Sequence, residues 1–130
     1  MTEDAESYRP VILVVDDEPV IADTLAEILK RTGYTANAAY DGESAIQAAL
    51  NAPPQLVISD IMMPGLNGIE LCMAIRKIFP DCKAILSSGR SDSSRLLAAA
   101  FSAGNHFVFL PKPVHPKVLL KHVAECLGRS

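Results

Sequence analysis

Four separate apolar runs in this chain each end on a residue that can bind a metal ion or a phosphoryl group. The runs are VILVV, LVIS, AILS and FVFLP, and the residues that follow them are Asp16 with Asp17, Asp60, Ser88 and Lys112. In a parallel sheet the carboxyl ends of the strands open onto one crevice, so we expect these residues to converge although they are far apart in sequence. The pattern predicts an α/β fold with a polar site at one sheet edge.

Strands and helices alternate along the whole chain. The predicted strands cover residues 11–15, 34–39, 56–59, 84–87 and 107–110. Helices follow them, starting near Pro19, Asp41, Asn67, Ser93 and Pro116, and ending by Gly33, Pro53, Pro80, Gly104 and Leu127. Pro is a common signal near the start of a helix, and Gly or Pro is common just after its end. Five strands joined by five helices predict a doubly wound parallel sheet with helices on two faces.

Apolar spacing predicts which helix faces are buried. In the first helix Ile21, Leu25, Ile28 and Leu29 share one face. In the third helix we expect Leu71, Ile75 and Ile78 to be buried. The fourth helix, RLLAAAFSAG, carries almost no charge. Its Leu-Ala-Phe surface either is buried or binds a partner helix.

Length and charge exclude several classes of protein. A chain of 130 residues has room for one domain with a core of its own. A net charge of -3 without a Lys/Arg cluster argues against direct nucleic-acid binding. The first nine residues are polar and no apolar run approaches the ~18 residues of a membrane span, so we expect no membrane association. Three cysteines without metal-ligand spacing suggest reduced thiols in a cytoplasmic protein.

The acidic pair Asp16-Asp17 predicts a cation site. Two carboxylates ~4 Å apart repel by about 4 kcal/mol at an effective dielectric constant near 20, and a bound cation removes that cost. With Asp60 at the next strand end, three carboxylates can share Mg²⁺, which prefers oxygen ligands. The alternative for the pair is that Asp16 or Asp17 merely caps the first helix, since Asp is a favoured N-cap residue.

Asp60 lies in the stretch SDIMMPGLNG, with Pro64 four residues later and Gly65 and Gly68 in the following loop. This stretch closely resembles the phosphoacceptor segment of response-regulator receiver domains, which belong to two-component signalling. The alternative is an ordinary turn residue after a strand. A carboxylate that attacks phosphorus forms an acyl phosphate, which hydrolyses spontaneously and so provides a signal that resets.

The resemblance covers about residues 10–127 and has specific implications. It implies a flavodoxin-like sheet in the order 2-1-3-4-5, a flexible tail at 1–9 and a short C-terminal end at 128–130. It implies that Asp17 ligates Mg²⁺ directly, that Asp16 does so through water, and that Asp60 and the backbone carbonyl of Met62 are further ligands. The phosphoryl donor would be a sensor histidine kinase or a histidine phosphotransfer protein.

Ser88 and Lys112 complete the expected site. The Ser88 hydroxyl can donate to a phosphoryl oxygen, and matching AILSSGR to the family favours it over the competitor Ser87. Lys112 follows the last strand in Pro111-Lys112-Pro113, where its ammonium would neutralise phosphoryl charge. A solvated loop lysine is the alternative. Receiver domains usually make this Lys-Pro bond cis, which the resemblance predicts here.

The resemblance also implies an output. In receiver domains the hydroxyl residue draws an aromatic side chain on strand five inward, and this reshapes the face made by helix four, strand five and helix five. Phe109 occupies that position, or else it is simply a core residue. The partner would be a downstream protein or a fused effector domain. Alternatives are a phosphate sink or relay without conformational output, and a receiver fragment of a larger regulator or hybrid kinase.

Enzyme classes fit the sequence less well. A phosphohydrolase with an aspartyl nucleophile would also place Asp after a parallel strand, but dehalogenase-like phosphatases need a second Asp two residues later, where this chain has Met62. No G-x-x-x-x-G-K-[ST] segment occurs, which excludes a P-loop nucleotide site. We therefore expect a signalling domain that promotes its own Mg²⁺-dependent phosphorylation and dephosphorylation, and not an enzyme.

Overall fold

The computed structural model describes residues 9–89, 93–104 and 107–128. Residues 1–8 of the expected tail, and the last two residues, lie outside those ranges. The five strands are β1 (Val11–Val15), β2 (Thr35–Ala39), β3 (Leu56–Asp60), β4 (Lys83–Ser88) and β5 (Val108–Pro111). The five helices are α1 (Pro19–Arg31), α2 (Gly42–Asn51), α3 (Gly68–Ile78), α4 (Ser93–Ser102) and α5 (Pro116–Cys126).

The strands form one parallel sheet in the order β2-β1-β3-β4-β5. This confirms the doubly wound fold and the predicted strand order. In the register of β3 and β4, Asp60 is paired with Ser87, and in that of β4 and β5, Ser88 is paired with Pro111. The polar residues after the apolar runs therefore lie at the same edge of the sheet.

Local signals position the helices. Asp41 caps α2, accepting a hydrogen bond of 2.7 Å from the backbone N–H of Ser44. Asn67 and Glu70 form a reciprocal capping box at the start of α3, with both bonds at 2.9 Å. After α1 the chain turns at Gly33 in the left-handed region (φ +105°), where a side chain would be strained. The two caps confirm the predicted starts of α2 at Asp41 and of α3 at Asn67.

A buried apolar cluster covers each face of the sheet. On one face, residues of β1, β3 and β4 such as Leu13, Val57 and Leu86 pack against α2, α3 and α4. On the other face, Ile12, Ile58 and Ile85 pack against α1 and α5. The β1 and β3 runs lack polar alternation because both of their faces are covered by helices.

Two burial predictions are wrong. Ile78 in the last turn of α3 is 46% exposed, and Ile21 in the first turn of α1 is 39% exposed. Leu29 of the predicted face is buried as expected, and the other buried residues of α1 are Ala22 and Ala26. In α4, Ala100 is buried whereas Phe101 is 41% exposed, so the helix is buried only in part, and binding of a partner helix stays a prediction.

Within the described ranges, no helix combines the length and apolar character needed to cross a bilayer. The three cysteines, Cys72, Cys82 and Cys126, are free thiols. Burial raises the pKa of Cys72 to about 12 and that of Cys82 to about 11, so both remain neutral thiols at physiological pH.

Candidate phosphoacceptor and metal site

Three carboxylates meet at the carboxyl end of the sheet. Asp16 and Asp17 follow β1 directly, and Asp60 is the last residue of β3, the strand beside it. One oxygen from each lies within 4.8 Å of the others, and the three differ in exposure: Asp16 is buried, Asp60 half-buried and Asp17 exposed. The convergence that the sequence predicts is therefore present in the structure.

Neither acid of the pair is the N-cap of α1. That position belongs to Glu18, whose side chain makes no capping hydrogen bond. Asp16 instead accepts a hydrogen bond of 3.0 Å from the backbone N–H of Glu18 through Oδ1. This bond orients the Asp16 carboxylate and leaves Oδ2 facing the site. The capping alternative for the acidic pair is thus wrong.

Lys112 bridges the two strand ends. Its Nζ lies 3.1 Å from Oδ2 of Asp16 and 3.6 Å from Oδ2 of Asp60. Burial alone would lower the pKa of the Lys112 amine, but its hydrogen bond to Asp16 and the charge of Asp60 outweigh that effect, so its pKa is raised. Lys112 is consequently a permanent cation in contact with the acids, and the solvated-loop alternative is wrong. Its peptide bond to Pro113 is cis, as predicted.

The Asp60 carboxyl has a pKa above its ordinary value in the metal-free protein. Burial is the main cause, and the negative charges of Asp16 and Asp17 act in the same direction. The Lys112 ammonium and a hydrogen bond from the backbone of Met62 oppose them. A positive charge added here would therefore favour the ionised form, which is the nucleophilic one.

Two hydroxyls lie at the end of β4. Ser87 faces the side of the sheet covered by α1 and α5, where it lines a cavity that also reaches Asp60, Gly89 and Lys112. Ser88 is buried, and its backbone carbonyl accepts a hydrogen bond of 3.1 Å from the N–H of Lys112. The sequence favours Ser88 over Ser87 as the hydroxyl donor. In the structure, however, Ser87 is the residue that pairs with Asp60 in the sheet. Alternate residues of a strand share a face, so Ser87 lies on the same face as Ile85. This alternation is the sequence signal that places Ser87 beside Asp60.

Gly68 permits close contact between α3 and β3. A Cβ atom at this position would overlap the backbone oxygen of Asp60 and lie 3.0 Å from Cα of Ile61. The N–H of Gly68 donates to the carbonyl of Ile61 at 2.9 Å. The glycine therefore lets the first turn of α3 pack directly against the strand end that carries Asp60. Gly65 has a positive φ of +75° in the preceding loop.

Phe109 lies in β5 opposite Leu86 of β4. It is half-buried and packs against the apolar cluster beneath α2, α3 and α4. Its ring is thus neither fully in the core nor free in solvent. This intermediate burial is compatible with the expected switch position.

The donor set fits a hard divalent cation. Mg²⁺ prefers oxygen ligands and is commonly bound by one or two carboxylates with several waters. Here the Asp17 carboxylate is exposed, whereas those of Asp16 and Asp60 are held by a backbone hydrogen bond and by Lys112. Sulfur and imidazole ligands, which softer metals prefer, are not part of the cluster. Asp16, Asp17 and Asp60 could therefore hold Mg²⁺.

Comparisons with known proteins agree with this geometry. The family model described as "Response regulator receiver domain" matches residues 12–124. A CheY-like response regulator receiver domain protein from Methanospirillum hungatei JF-1 is 30% identical, with 93% of this chain and 95% of that chain covered and a TM-score of 0.84. The signal receiver domain of an HD domain-containing protein from Pseudomonas fluorescens Pf-5 is 32% identical, with 93% and 96% covered and a TM-score of 0.85.

A longer protein shares the same domain. NtrX from Brucella abortus is 32% identical over 93% of this chain, which corresponds to 27% of that chain, with a TM-score of 0.80. The family match spans most of the 130 residues, and the fold, the strand order and the acidic cluster are consistent with it. This chain therefore belongs to the response regulator receiver domain family.

Proposed function

We propose that this receiver domain takes a phosphoryl group onto Asp60 from the phosphohistidine of a sensor histidine kinase or a histidine phosphotransfer protein. The observation that carries the proposal is the grouping of the Asp60 carboxylate with two further acids and the Lys112 ammonium at one sheet edge. Receiver domains of two-component systems are signalling domains with an acidic Mg²⁺ pocket, and this chain has the matching cluster.

The Asp60 carboxylate is the nucleophile. An oxygen of Asp60 forms a bond to phosphorus while the bond between phosphorus and the donor nitrogen breaks, which leaves an acyl phosphate on this chain. The Lys112 ammonium, 3.6 Å from Asp60, is positioned to neutralise the charge of the phosphoryl oxygens. Asp16 holds that ammonium in place from the other side, at 3.1 Å.

Mg²⁺ would be held by Asp16, Asp17 and Asp60, with the backbone carbonyl of Met62 as a further ligand, and would supply positive charge for the phosphoryl group. It would also offset the repulsion among the three carboxylates. Without it, Asp60 competes with two negative neighbours, which is one cause of its raised pKa. We assign the hydroxyl donor to Ser88, with Ser87 as the alternative.

The expected output lies on the face made by α4, β5 and α5. Phe109 is half-buried on β5 and Phe101 is 41% exposed on α4, so this face carries apolar surface that a change at the strand end can rearrange. Phosphorylation would shift this face between two states and change its affinity for a downstream protein or a fused effector domain. We place the domain at residues 10–127, in the cytoplasm, without direct contacts to nucleic acid or membrane. We regard it as a regulated acceptor that promotes its own modification, and not as an enzyme.

Intact-mass spectrometry tests the proposal. Incubation with acetyl phosphate and Mg²⁺ should add one phosphoryl group, and the Asp60→Asn variant should gain none. Asp81→Asn is the matched control, because Asp81 is an exposed acid in the turn before β4, outside the acidic cluster. Labelling of Asp60→Asn at the parent level would refute the nucleophile, and labelling unchanged by EDTA would refute the metal role.

A further inference from the structure

A cavity of about 690 Å³ lies between α1, α5 and the sheet and ends at the phosphoacceptor site. We call it the α1–α5 cavity. Its walls come from Leu25 and Ile28 of α1 and Leu119 and Leu120 of α5, and its floor from Ile58 and Ile85. Protein interiors are close-packed, and sites for small molecules typically measure about 300–1,000 Å³. The volume lies within that range, but Ile58 and Ile85 at the base are only 5% and 0% exposed, so the open part of the cavity lies between the two helices.

The cavity follows from the way α1 packs on the sheet. In the first two turns of α1 the fully buried residues are Ala22 and Ala26, and Leu25 packs against the same apolar cluster as a partly buried residue. The larger aliphatic residues of the helix lie beside this stripe: Leu25 and Ile28 are only half-buried, and Ile21 is 39% exposed. These are the residues whose burial the sequence predicts, and in the structure they line the cavity.

The lining has two chemically different ends. Most of it is aliphatic, and aromatic side chains do not contribute to it. The charged lining residues are Asp16, Asp60 and Lys112, all at the strand ends, so two carboxylates face one ammonium. The charged end thus has an excess of one negative charge before any ion binds. A ligand that fits both ends has an aliphatic body and a cationic head.

We propose that the α1–α5 cavity binds small amphipathic amines, with the aliphatic chain between α1 and α5 and the ammonium on the carboxylates of Asp16 and Asp60. This goes beyond phosphoacceptance and does not depend on it, because binding is measured on unphosphorylated, metal-free protein. The ammonium occupies the carboxylates that Mg²⁺ would use, so each ligand weakens the binding of the other by the same factor. Such an amine would regulate how readily the domain is phosphorylated.

Methyl NMR with n-octylamine tests the binding. The amine is protonated at neutral pH, as a lysine side chain is. Saturable shifts are expected for the methyl groups of Ile28 and Leu120, whereas Leu71 and Ile75, which are buried on the opposite face of the sheet, should not shift. Saturating Mg²⁺ should weaken the apparent affinity at least about tenfold, as competition for shared ligands requires. Unsaturable shifts on both faces of the sheet would overturn the proposal.

Matched ligands and variants separate the two parts of the proposal. n-Octanoate and n-octanol keep the chain and change the head, and either one binding metal-free protein as tightly as n-octylamine would overturn the assignment of the cationic head. Leu120→Phe should reduce octylamine affinity roughly tenfold or more by filling the cavity. Val118→Phe makes a similar change at an α5 residue that is 45% exposed and outside the lining, and should bind like the parent. Equal affinities of the two variants would refute the location, whatever the outcome of phosphorylation assays.

Discussion

Gly68 should be among the least replaceable residues of the domain, although it makes no side-chain contact. An alanine Cβ would overlap the backbone oxygen of Asp60 and lie 3.0 Å from both the Asp60 carbonyl carbon and Cα of Ile61. These are backbone atoms of the last residue of β3 and of the residue after it, so rotation of a side chain cannot relieve the overlap. Overpacking of this kind typically costs about 1–3 kcal/mol, and the upper end applies where neither partner can move.

The higher helix propensity of alanine partly offsets this cost. Gly68 is the first residue of α3, and in a helix alanine is favoured over glycine by up to about 1 kcal/mol. The expected net loss for Gly68→Ala is therefore about 2 kcal/mol, or a fall in Tm on the order of 10 °C for a domain of this size. Phosphorylation by acetyl phosphate should slow as well, because relieving the overlap displaces the strand end that carries Asp60.

Urea unfolding at fixed pH and Mg²⁺ concentration is the assay, and Gly89→Ala is the matched control. A Cβ on Gly89 would meet only Cβ of Lys112, at 3.6 Å, which is an ordinary van der Waals contact. That variant should stay within about 0.5 kcal/mol of the parent. Equal stabilities of Gly68→Ala and Gly89→Ala would show that α3 does not pack directly against Asp60.

Three further predictions concern the site. Mg²⁺ at a hundred times its Kd should stabilise the protein by about 2.7 kcal/mol in thermal melts, and Asp17→Asn should reduce that gain; equal gains would exclude Asp17 as a direct ligand. Ser88→Ala should still accept phosphate but lose most of the beryllofluoride-induced amide NMR shifts around Phe109, whereas loss in Ser87→Ala alone would reassign the hydroxyl. Shifts confined to the acidic loops of the parent would indicate a phosphate sink or relay. Burial raises the pKa of Asp60 above 3.8, so the metal-free protein loses stability as the pH rises through that raised pKa. In urea unfolding, the extra stability of Asp60→Asn relative to the parent should therefore grow over that pH range. A difference in stability that does not change with pH would contradict the raised pKa.

The sequence predicts the sheet and the acid cluster well because both depend on local patterns. Unbroken apolar runs define the strands, and parallel pairing then brings their ends together. Asp16, Asp17 and Asp60 could be grouped on that basis alone. The ion pair between Lys112 and Asp16 joins residues 96 apart in sequence, and only the shared strand ends suggested it.

Helix periodicity shows which residues share a face, but it does not show what covers that face. Ile21 and Ile78 fit an apolar stripe, yet they are 39% and 46% exposed. In α1 the small residues Ala22 and Ala26 are buried against the sheet. Helix periodicity gives such small side chains little weight compared with Leu and Ile. For the same reason the sequence did not predict the α1–α5 cavity.

Ser87 and Ser88 show a second limit. Adjacent residues of a strand point to opposite faces, so the choice between them depends on which face each strand presents to the site. Family matching favours Ser88, whereas sheet pairing brings Ser87 beside Asp60. Composition and spacing do not contain that information, since it depends on the register of β3 and β4.

Chemical localisation of the phosphoryl group tests directly whether Asp60 is the phosphoacceptor. Borohydride reduces an acyl phosphate to an alcohol, so a phosphorylated aspartate becomes homoserine, which peptide mass spectrometry can place in the sequence. After treatment with acetyl phosphate and Mg²⁺, we expect homoserine at position 60 and unmodified aspartate at positions 16 and 17. Homoserine at 16 or 17, or phosphate retained on a serine with position 60 unchanged, would contradict it.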